Sequence, residues 1–389
     1  MRLEFPSELA AFRAEVRAFI AEHTPGVKTH TGVRAPDPTL VPAIREFTAA
    51  LFEAGYLGIG WPKEFGGRPD AHPLEAFIVA EEIARARTWQ PIGAFALAAG
   101  ALIEFGSLEQ QQRFLPRIRR CEDIWCQLFS EPGAGSDLAS LQTRAVRDGD
   151  EYVVTGQKVW TTNGQHADMG YLLARTNPDA PKHRGITAFA LDMRTPGVDV
   201  RPLREITGTT DFNEVFLDEV RIPAENVIGE VDNGWRVANS SLAHERSGVG
   251  AGGVELLRQL EDVVALAGPD GLADPAVRQT IGELATRVHV NAAMSGLVQS
   301  RMLAHRESPA DAPLSKIFFS EINHDLAVTG VGLQGVDGLL TEGDPDAVAG
   351  GWWQDAYLYA RAYTIAGGAN EVLRNVVAER ALGLPRDPA

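Results

Sequence analysis

Cysteine, basic residues and long hydrophobic stretches are all scarce in this sequence. Its 389 residues include 2 cysteines, too few for a disulfide framework or a four-cysteine metal site and typical of a reduced compartment. Lysine and arginine number 36 against 52 acidic residues, and the resulting net charge of -16 disfavours binding to nucleic acid or anionic lipid. No run of about 18 apolar residues occurs, and the N-terminus is too charged for a signal peptide. The sequence therefore predicts a cytoplasmic protein without a metal site, a membrane span or a nucleic-acid partner.

The hydrophobic pattern changes twice along the chain. Apolar residues recur at helical spacing from Ser7 to about Ile118, short runs rich in β-branched and aromatic residues follow, and long helical segments resume after Gly234. We therefore predict an α+β protein in three parts. They are an N-terminal α-helical domain (1–122), a middle antiparallel β-domain or barrel (123–231) and a C-terminal four-helix bundle (232–389).

The stretch HERSGVGAGG, which begins at His244, fits three different functions. A zinc-protease helix needs a second histidine four residues after the first, but that position is Gly248. A dinucleotide fingerprint needs a preceding strand inside a βαβ unit, whereas the preceding residues follow a helical pattern. The third interpretation makes Glu245 a catalytic carboxylate beside Arg246, although such a pair is by itself usually a solvated surface pair.

Two motifs in the strand-rich part favour a bound cofactor. In SEPGAGSD (residues 130–137), the glycines allow close approach of the backbone to a polar or anionic ligand, and the serines add hydroxyl donors. In GQKVWTTNG (156–164), Trp160 offers a large apolar face and Thr162 a hydroxyl group. Lone tryptophans on strands are more often core residues, so the pairing of the two motifs carries the prediction.

Together with WPKEFGG near Trp61 and GGANEVLRNVVAERALGLPR near the C-terminus, these motifs resemble the acyl-CoA dehydrogenase family over nearly the whole chain. The resemblance implies an acyl-CoA dehydrogenase-like fold, an FAD cofactor and a role in fatty acid metabolism or lipid degradation. It implies α,β-dehydrogenation of an acyl-CoA thioester to the trans-2-enoyl-CoA, with hydride transfer to flavin N5. Electrons would then pass to an electron-transfer flavoprotein.

The resemblance also implies roles for individual residues. In many members the base is a glutamate in a C-terminal segment that here reads Gly367-Gly368-Ala369-Asn370, without a carboxylate. A minority of the family carries the base on the first long helix of the C-terminal domain, directly before an arginine, and Glu245 with Arg246 matches that position. The predicted substrate contacts are Ser136, Arg246 and Gly367. The predicted cofactor contacts are Gln127, Phe129, Ser130, Gly135, Ser136, Trp160, Thr161, Thr162 and Glu371.

Two departures from the family pattern concern the ADP half of the cofactor. The usual R-x-x-F-G segment is missing, and Gly332 stands where a glutamine is expected. This is similar to actinobacterial enzymes acting on sterol side chains, so both a homotetramer and a heterotetramer with a related subunit are predicted. Small residues around Glu245, such as Ala238 and Ser241, suggest room for a branched or cyclic acyl group. The alternatives are a flavin monooxygenase or oxidase on the same fold, or a non-catalytic subunit of a heteromeric dehydrogenase.

Overall fold

The computed structural model describes residues 7–28, 30–245 and 250–386, without the side chains of residues 242–245 and 250–251. The first part of the chain is helical. Its helices are α1 (Ser7–His23), α2 (Val41–Glu53), α3 (Glu75–Arg85), α4 (Phe95–Phe105) and α5 (Leu108–Arg119). Helix α5 begins at a capping box, in which the Ser107 hydroxyl accepts from the Gln110 amide and the Gln110 side chain accepts from the Ser107 amide.

A sheet follows these helices. Its strands are β1 (Trp125–Leu128), β2 (Arg144–Asp148), β3 (Glu151–Thr162), β4 (Met169–Arg175), β5 (Ile186–Asp192), β6 (Val198–Leu203), β7 (Phe212–Pro223) and β8 (Val227–Ile228). Their order is β6-β7-β3-β2-β4-β5-β8, with β1 beside β4. Most pairings are antiparallel, as expected, but β1 and a short part of β2 pair with β4 in parallel. Among the described strands, β6 and β8 stand at the two ends of this path and do not pair with each other.

The two faces of the sheet pack against different apolar layers. One face, including Trp125 and Tyr171, contacts α4, α5 and the helix that follows the sheet. The other face encloses a core made by the strands themselves, including Tyr152 and Phe189. This alternation follows from the two-residue period of strand side chains. Phe129 and Ala134, in the connection after β1, belong to the apolar layer shared with the N-terminal helices.

The last part of the chain is again helical. It contains α6 (Gly234–Glu245), α7 (Gly250–Ala273), α8 (Pro275–Leu303), α9 (Asp311–Leu333), α10 (Trp352–Ile365) and α11 (Asn370–Val376). Helices α7 to α10 pack around a shared apolar core, so the predicted bundle is confirmed. Helix α6 packs instead against α4 and β5. None of the described helices is long and apolar enough to cross a membrane. The exact boundaries at 122/123 and 231/232 stay predictions.

Candidate active site

A buried ion pair joins the two signature motifs. Lys158, in β3, is fully buried, and its Nζ donates to Glu131 Oε1 at 2.8 Å and to the Phe129 carbonyl at 3.0 Å. The Glu131 carboxylate also accepts from the backbone amides of Gln142 and Thr143, at 2.6 and 2.9 Å. Every charged atom of the pair therefore has a polar partner, which a buried charge requires. Neither residue was singled out in the sequence, because lysine and glutamate are usually exposed.

The pKa values of both partners are lowered, for different reasons. Burial lowers the pKa of Lys158 from 10.5 to about 8, although the charge of Glu131 opposes this shift. Burial also tends to raise the pKa of Glu131, but Lys158 and the hydrogen bonds to the carboxylate outweigh it and hold the pKa below 4.5. The glutamate is therefore ionised at neutral pH and fixes the loop to the strand.

The loop between β1 and β2 is folded tightly at one end and open at the other. Glu131 and Ala134 exchange two backbone hydrogen bonds of 3.1 and 3.0 Å, and the Ser130 carbonyl accepts from the Val159 amide at 2.9 Å. Gly133, Gly135 and Ser136 are exposed, and a Cβ built on either glycine would meet no described atom within 4 Å. Free space thus lies directly beside the backbone of this loop.

Trp160 has a strained backbone and an exposed side chain. Its φ is +61°, it lies at an irregularity in the pairing of β3 with β7, and 60% of its surface is exposed. The indole packs edge-on against Phe212, with ring centroids 6.0 Å apart. Non-glycine residues with positive φ are uncommon and concentrate at functional sites. Because an apolar ring is held outward at a cost in backbone energy, this face of the sheet has the character of a ligand platform.

The three residues after Trp160 differ in their access to solvent. Thr162 is half-buried, whereas Thr161 is fully buried and its hydroxyl has no hydrogen-bond partner among the described residues. The side chain of Thr161 therefore faces the interior of the sheet and is not brought to the exposed face with Trp160. Asn163 follows in the left-handed region, with φ of +56°, and ends the strand.

Phe129 connects the loop to helix α6. Its ring packs edge-on against Tyr171, with centroids 4.9 Å apart, and the Tyr171 hydroxyl hydrogen-bonds the Ser241 hydroxyl at 3.2 Å. Gln127, two residues earlier, is half-buried in β1. Ala238 and Ser241 are themselves buried by this packing. Room for a branched or cyclic acyl group near Glu245 therefore stays a prediction.

The backbone of Glu245 forms the last residue of α6. Its side chain lies outside the described part of the structure, and so does the whole of Arg246. The catalytic role predicted for these two residues therefore stays a prediction.

The segment Gly367–Asn370 is held by α9. Lys316 Nζ donates to the Gly368 carbonyl and to Asn370 Oδ1, each at 2.8 Å, and burial lowers the pKa of this lysine to about 8. Gly367 is exposed, its φ is +67°, and a Cβ there would meet no described atom within 4 Å. Glu371 is exposed in the first turn of α11. No described atom fills the space beside Gly367, and the expectation that Glu245 reaches into it stays a prediction. Lys316 is a contact that the sequence did not reveal.

Three family models match consecutive parts of the chain. The acyl-CoA dehydrogenase N-terminal domain matches residues 6–122, the middle domain residues 126–220 and the C-terminal domain residues 232–382. The chain therefore belongs to the acyl-CoA dehydrogenase family, and it is an oxidoreductase of this family of flavoproteins. The predicted family and its three-part fold are confirmed.

Individual relatives and solved structures agree with the family models. The chain is 38% identical to acyl-CoA dehydrogenase IpdE1 of Mycobacterium tuberculosis, over 98% of this chain and 99% of that protein. Among solved structures it is similar to a Tcur3481-Tcur3483 steroid ACAD, with a TM-score of 0.88, 33% identity and 100% of both chains covered. It is also similar to the ChsE4-ChsE5 complex from Mycobacterium tuberculosis, with a TM-score of 0.84, 31% identity and 100% of both chains covered.

Proposed function

We propose that this chain binds FAD and dehydrogenates an acyl-CoA thioester between its α and β carbons, with Glu245 as the base. The observation that carries the proposal is the ion pair between Lys158 and Glu131, because it joins the two signature motifs into one site. The site presents the indole of Trp160 and the open loop around Gly133 on the outside of the sheet.

The residues of this site fit a flavin. The indole of Trp160 offers an exposed apolar face for a planar ring system. The backbone beside Gly133 and Gly135 is free for contact with polar or anionic groups, and the Ser136 side chain is exposed next to it. Thr162 lies at the end of the same strand, two residues from Trp160. When bound, FAD would supply the acceptor for the β-hydrogen.

Glu245 is proposed to take the proton from the α carbon. It ends α6, whose buried residues Val237, Ala238 and Ser241 pack toward the sheet that carries Phe129. The other position at which the family carries its base is Gly367, which has no carboxylate and adjoins open space. A glutamate that is sheltered from water has a raised pKa and becomes an effective base near neutral pH.

Basic residues lie beside the N-terminal end of α6, opposite to Glu245. Their positive charge would attract the phosphorylated end of coenzyme A. Lys182, His183 and Arg184 are exposed, and the His183 ring packs against Trp235 in the first turn of α6, with centroids 5.0 Å apart. Lys182 also pairs with Asp137 of the signature loop, at 2.8 Å. A helix of this length spans about 18 Å. We propose that the coenzyme A portion follows α6, from this basic group toward Glu245.

The substrate class is proposed from the relatives. The similar Tcur3481-Tcur3483 structure is described as a steroid ACAD, and this favours a steroid-derived or otherwise branched acyl group. Both similar structures combine two differently named chains, which favours a heterotetramer with a related subunit over a homotetramer. The missing contacts to the ADP half of FAD support the same arrangement. An electron-transfer flavoprotein is the proposed electron acceptor.

Anaerobic mixing of the FAD-loaded protein with a panel of acyl-CoA thioesters tests this function. The wild type is expected to lose its visible flavin absorbance with a branched or steroid-derived substrate. Glu245→Gln should keep its FAD and lose this bleaching by at least about 10²-fold in rate, the lower range for loss of a general base.

Glu261→Gln provides a matched control, because Glu261 is an exposed glutamate on α7. It should bleach at the wild-type rate. Bleaching that persists in Glu245→Gln would show that another residue is the base. Rapid reoxidation of the reduced flavin by oxygen would favour an oxidase instead of a dehydrogenase.

A further inference from the structure

We propose that Arg34 is a positioning residue for the flavin site, although it lies far from both signature motifs in the sequence. The inference rests on the proposed FAD site. Arg34 belongs to the connection between α1 and α2, and only 2% of its side chain is exposed. It contacts Asp211, the residue before β7, and Asp355 in the first turn of α10. Asp211 supports the segment that contains Trp160, and α10 leads to the segment that contains Gly367.

All three nitrogen atoms of the Arg34 guanidinium group donate hydrogen bonds, and the group also lies over an aromatic ring. It donates to Asp211 Oδ2 at 3.0 Å and to Asp355 Oδ2 at 2.6 Å, and its Nε donates to the Thr31 carbonyl at 2.6 Å. Its carbon atom Cζ lies 4.1 Å from the centre of the Tyr359 ring. Asp211 and Asp355 are both buried. A planar cation with several fixed donors suits this position, whereas the point charge of a lysine cannot reach all these acceptors.

Asp211 is the first of three consecutive residues that contact the strand end around Trp160. Its carbonyl accepts from the Asn163 amide at 3.3 Å, and Phe212 packs against Trp160. Asn213 Nδ2 then donates to the Thr161 carbonyl at 3.0 Å. The strained backbone at Trp160 and Asn163 therefore rests on residues 211–213, and strain of this kind persists only where the surroundings fix it.

The Asp211 carboxylate is fixed in turn by the connection that carries Arg34. Asp211 Oδ1 accepts from the Ala35 amide at 2.8 Å, and Oδ2 accepts from Arg34 and from the Thr209 hydroxyl at 2.7 Å. A lysine in place of Arg34 could pair with only one of the two carboxylates at a time, so one buried carboxylate, Asp211 or Asp355, would lose its main counter-charge. Such a group is costly, and the backbone around it rearranges to admit water.

Asp355 extends the same network toward the other side of the site. It lies in α10, which ends at Ile365, directly before the segment that begins at Gly367. The Tyr359 hydroxyl bonds the amide and the carbonyl of Val33, at 2.9 and 3.2 Å, so α10 also contacts the backbone of the Arg34 connection. Arg34 thus joins the residues that support Trp160 to α10, the helix that precedes the Gly367 segment.

Hydrogen–deuterium exchange of Arg34→Lys tests the inference on the full-length protein without added FAD. We expect faster exchange in peptides covering residues 158–165, because the support of the Asn163 amide is loosened. After titration with FAD, the Kd should rise about tenfold, the order expected when a hydrogen bond to a charged group is lost. The first measurement does not depend on catalysis, so it remains decisive even if the proposed dehydrogenation is wrong.

Arg87→Lys is the matched control. Arg87 NH2 contacts both carboxylate oxygens of Asp262 at 2.7 Å and joins the end of α3 to α7, away from Trp160. It should leave the exchange of residues 158–165 and the Kd for FAD unchanged. Unchanged exchange and FAD affinity in Arg34→Lys would overturn the inference, whatever its melting temperature. If Arg34→Lys does not fold, the same two measurements on Asp211→Asn test the inference instead.

Discussion

Lys158 is fully buried and pairs with a buried glutamate, so the stability contributed by the pair depends on pH in two separate ranges. The folded-state pKa of Glu131 lies below 4.5, so its contribution to stability is present above that pH and is lost as the pH falls through the lowered value. The folded-state pKa of Lys158 is about 8 instead of 10.5, so its contribution increases as the pH rises between these values. Stability should therefore fall on acidification below pH 4.5.

Replacing the lysine alone should be much more damaging than replacing both partners. Lys158→Met leaves the Glu131 carboxylate buried without its counter-charge, which costs about 3–5 kcal/mol in the free energy of unfolding. Urea unfolding at pH 7 measures this cost. The double variant Lys158→Met/Glu131→Gln should be more stable than Lys158→Met, because no buried charge remains.

Lys182→Met is the control for that comparison, since Lys182 forms an exposed ion pair with Asp137. Exposed pairs contribute little, so its unfolding midpoint should match the wild type. A Lys158→Met protein as stable as Lys182→Met would contradict the structural role assigned to the buried pair. Loss of bound FAD from Lys158→Met is also expected, because the signature loop loses its attachment to β3.

At the scale of single elements, the position of α6 depends on the first residue of the helix. A Cβ on Gly234 would lie 2.6 Å from the Ala188 amide nitrogen and 2.6 Å from the Thr187 carbonyl carbon, both backbone atoms of β5. Only glycine lets α6 begin this close to the sheet. The helix then carries its buried face past Tyr171 and ends at Glu245.

Gly234→Ala should therefore displace α6. We expect the rate of flavin reduction by acyl-CoA to fall at least about tenfold while FAD remains bound, because the helix carries the proposed base and not the signature loop. Gly282→Ala is the control: Gly282 is exposed inside α8 and a Cβ there meets no described atom within 4 Å. That variant should gain about 0.5–1 kcal/mol of stability. An unchanged rate of flavin reduction in Gly234→Ala would show that the position of α6 does not affect the reaction.

The elements differ in how well the sequence predicts them. Helical periodicity and short strand-like runs identify the three parts of the chain, because local patterns determine them. The parallel pairing of β1 with β4 is not visible in such patterns, since it depends on contacts between distant residues. Arg34 is a similar case: it lies in an irregular connection, and its two carboxylate partners are 177 and 321 residues away. The signature motifs were recognised, but the burial of Lys158 within one of them was not.

At the scale of the whole molecule, one turn exposes an unusual amount of apolar surface. Val336 and Leu339, in the turn after α9, are 81% and 77% exposed. This turn includes part of the region in which the sequence departs from the usual family contacts to the ADP half of FAD. Two exposed apolar side chains in a region that departs from the family pattern favour an interaction surface, so we propose that this turn contacts another subunit.

Leu339→Asp should weaken assembly and reduce FAD content together. Light scattering is expected to show four chains in the wild-type assembly, alike or of two kinds, and a smaller species for the variant, because a carboxylate loses its hydration in an apolar interface. Ile206→Asp is the control, because Ile206 is 78% exposed in the connection between β6 and β7. Equal masses for wild type and Leu339→Asp would exclude this turn from the interface.

The contacts of Arg34 limit how this protein can be recombined with its relatives. A chimaera that exchanges only the sheet, residues 125–228, would replace Asp211 while keeping Arg34 and Asp355. The retained arginine would then lie beside the donor's side chain at the position of Asp211, and that side chain need not be acidic. The natural unit for exchange is therefore the sheet together with residues 30–36 and α10, because Arg34 pairs with Asp211 and with Asp355. A crossover between α1 and α2 must then precede residue 30.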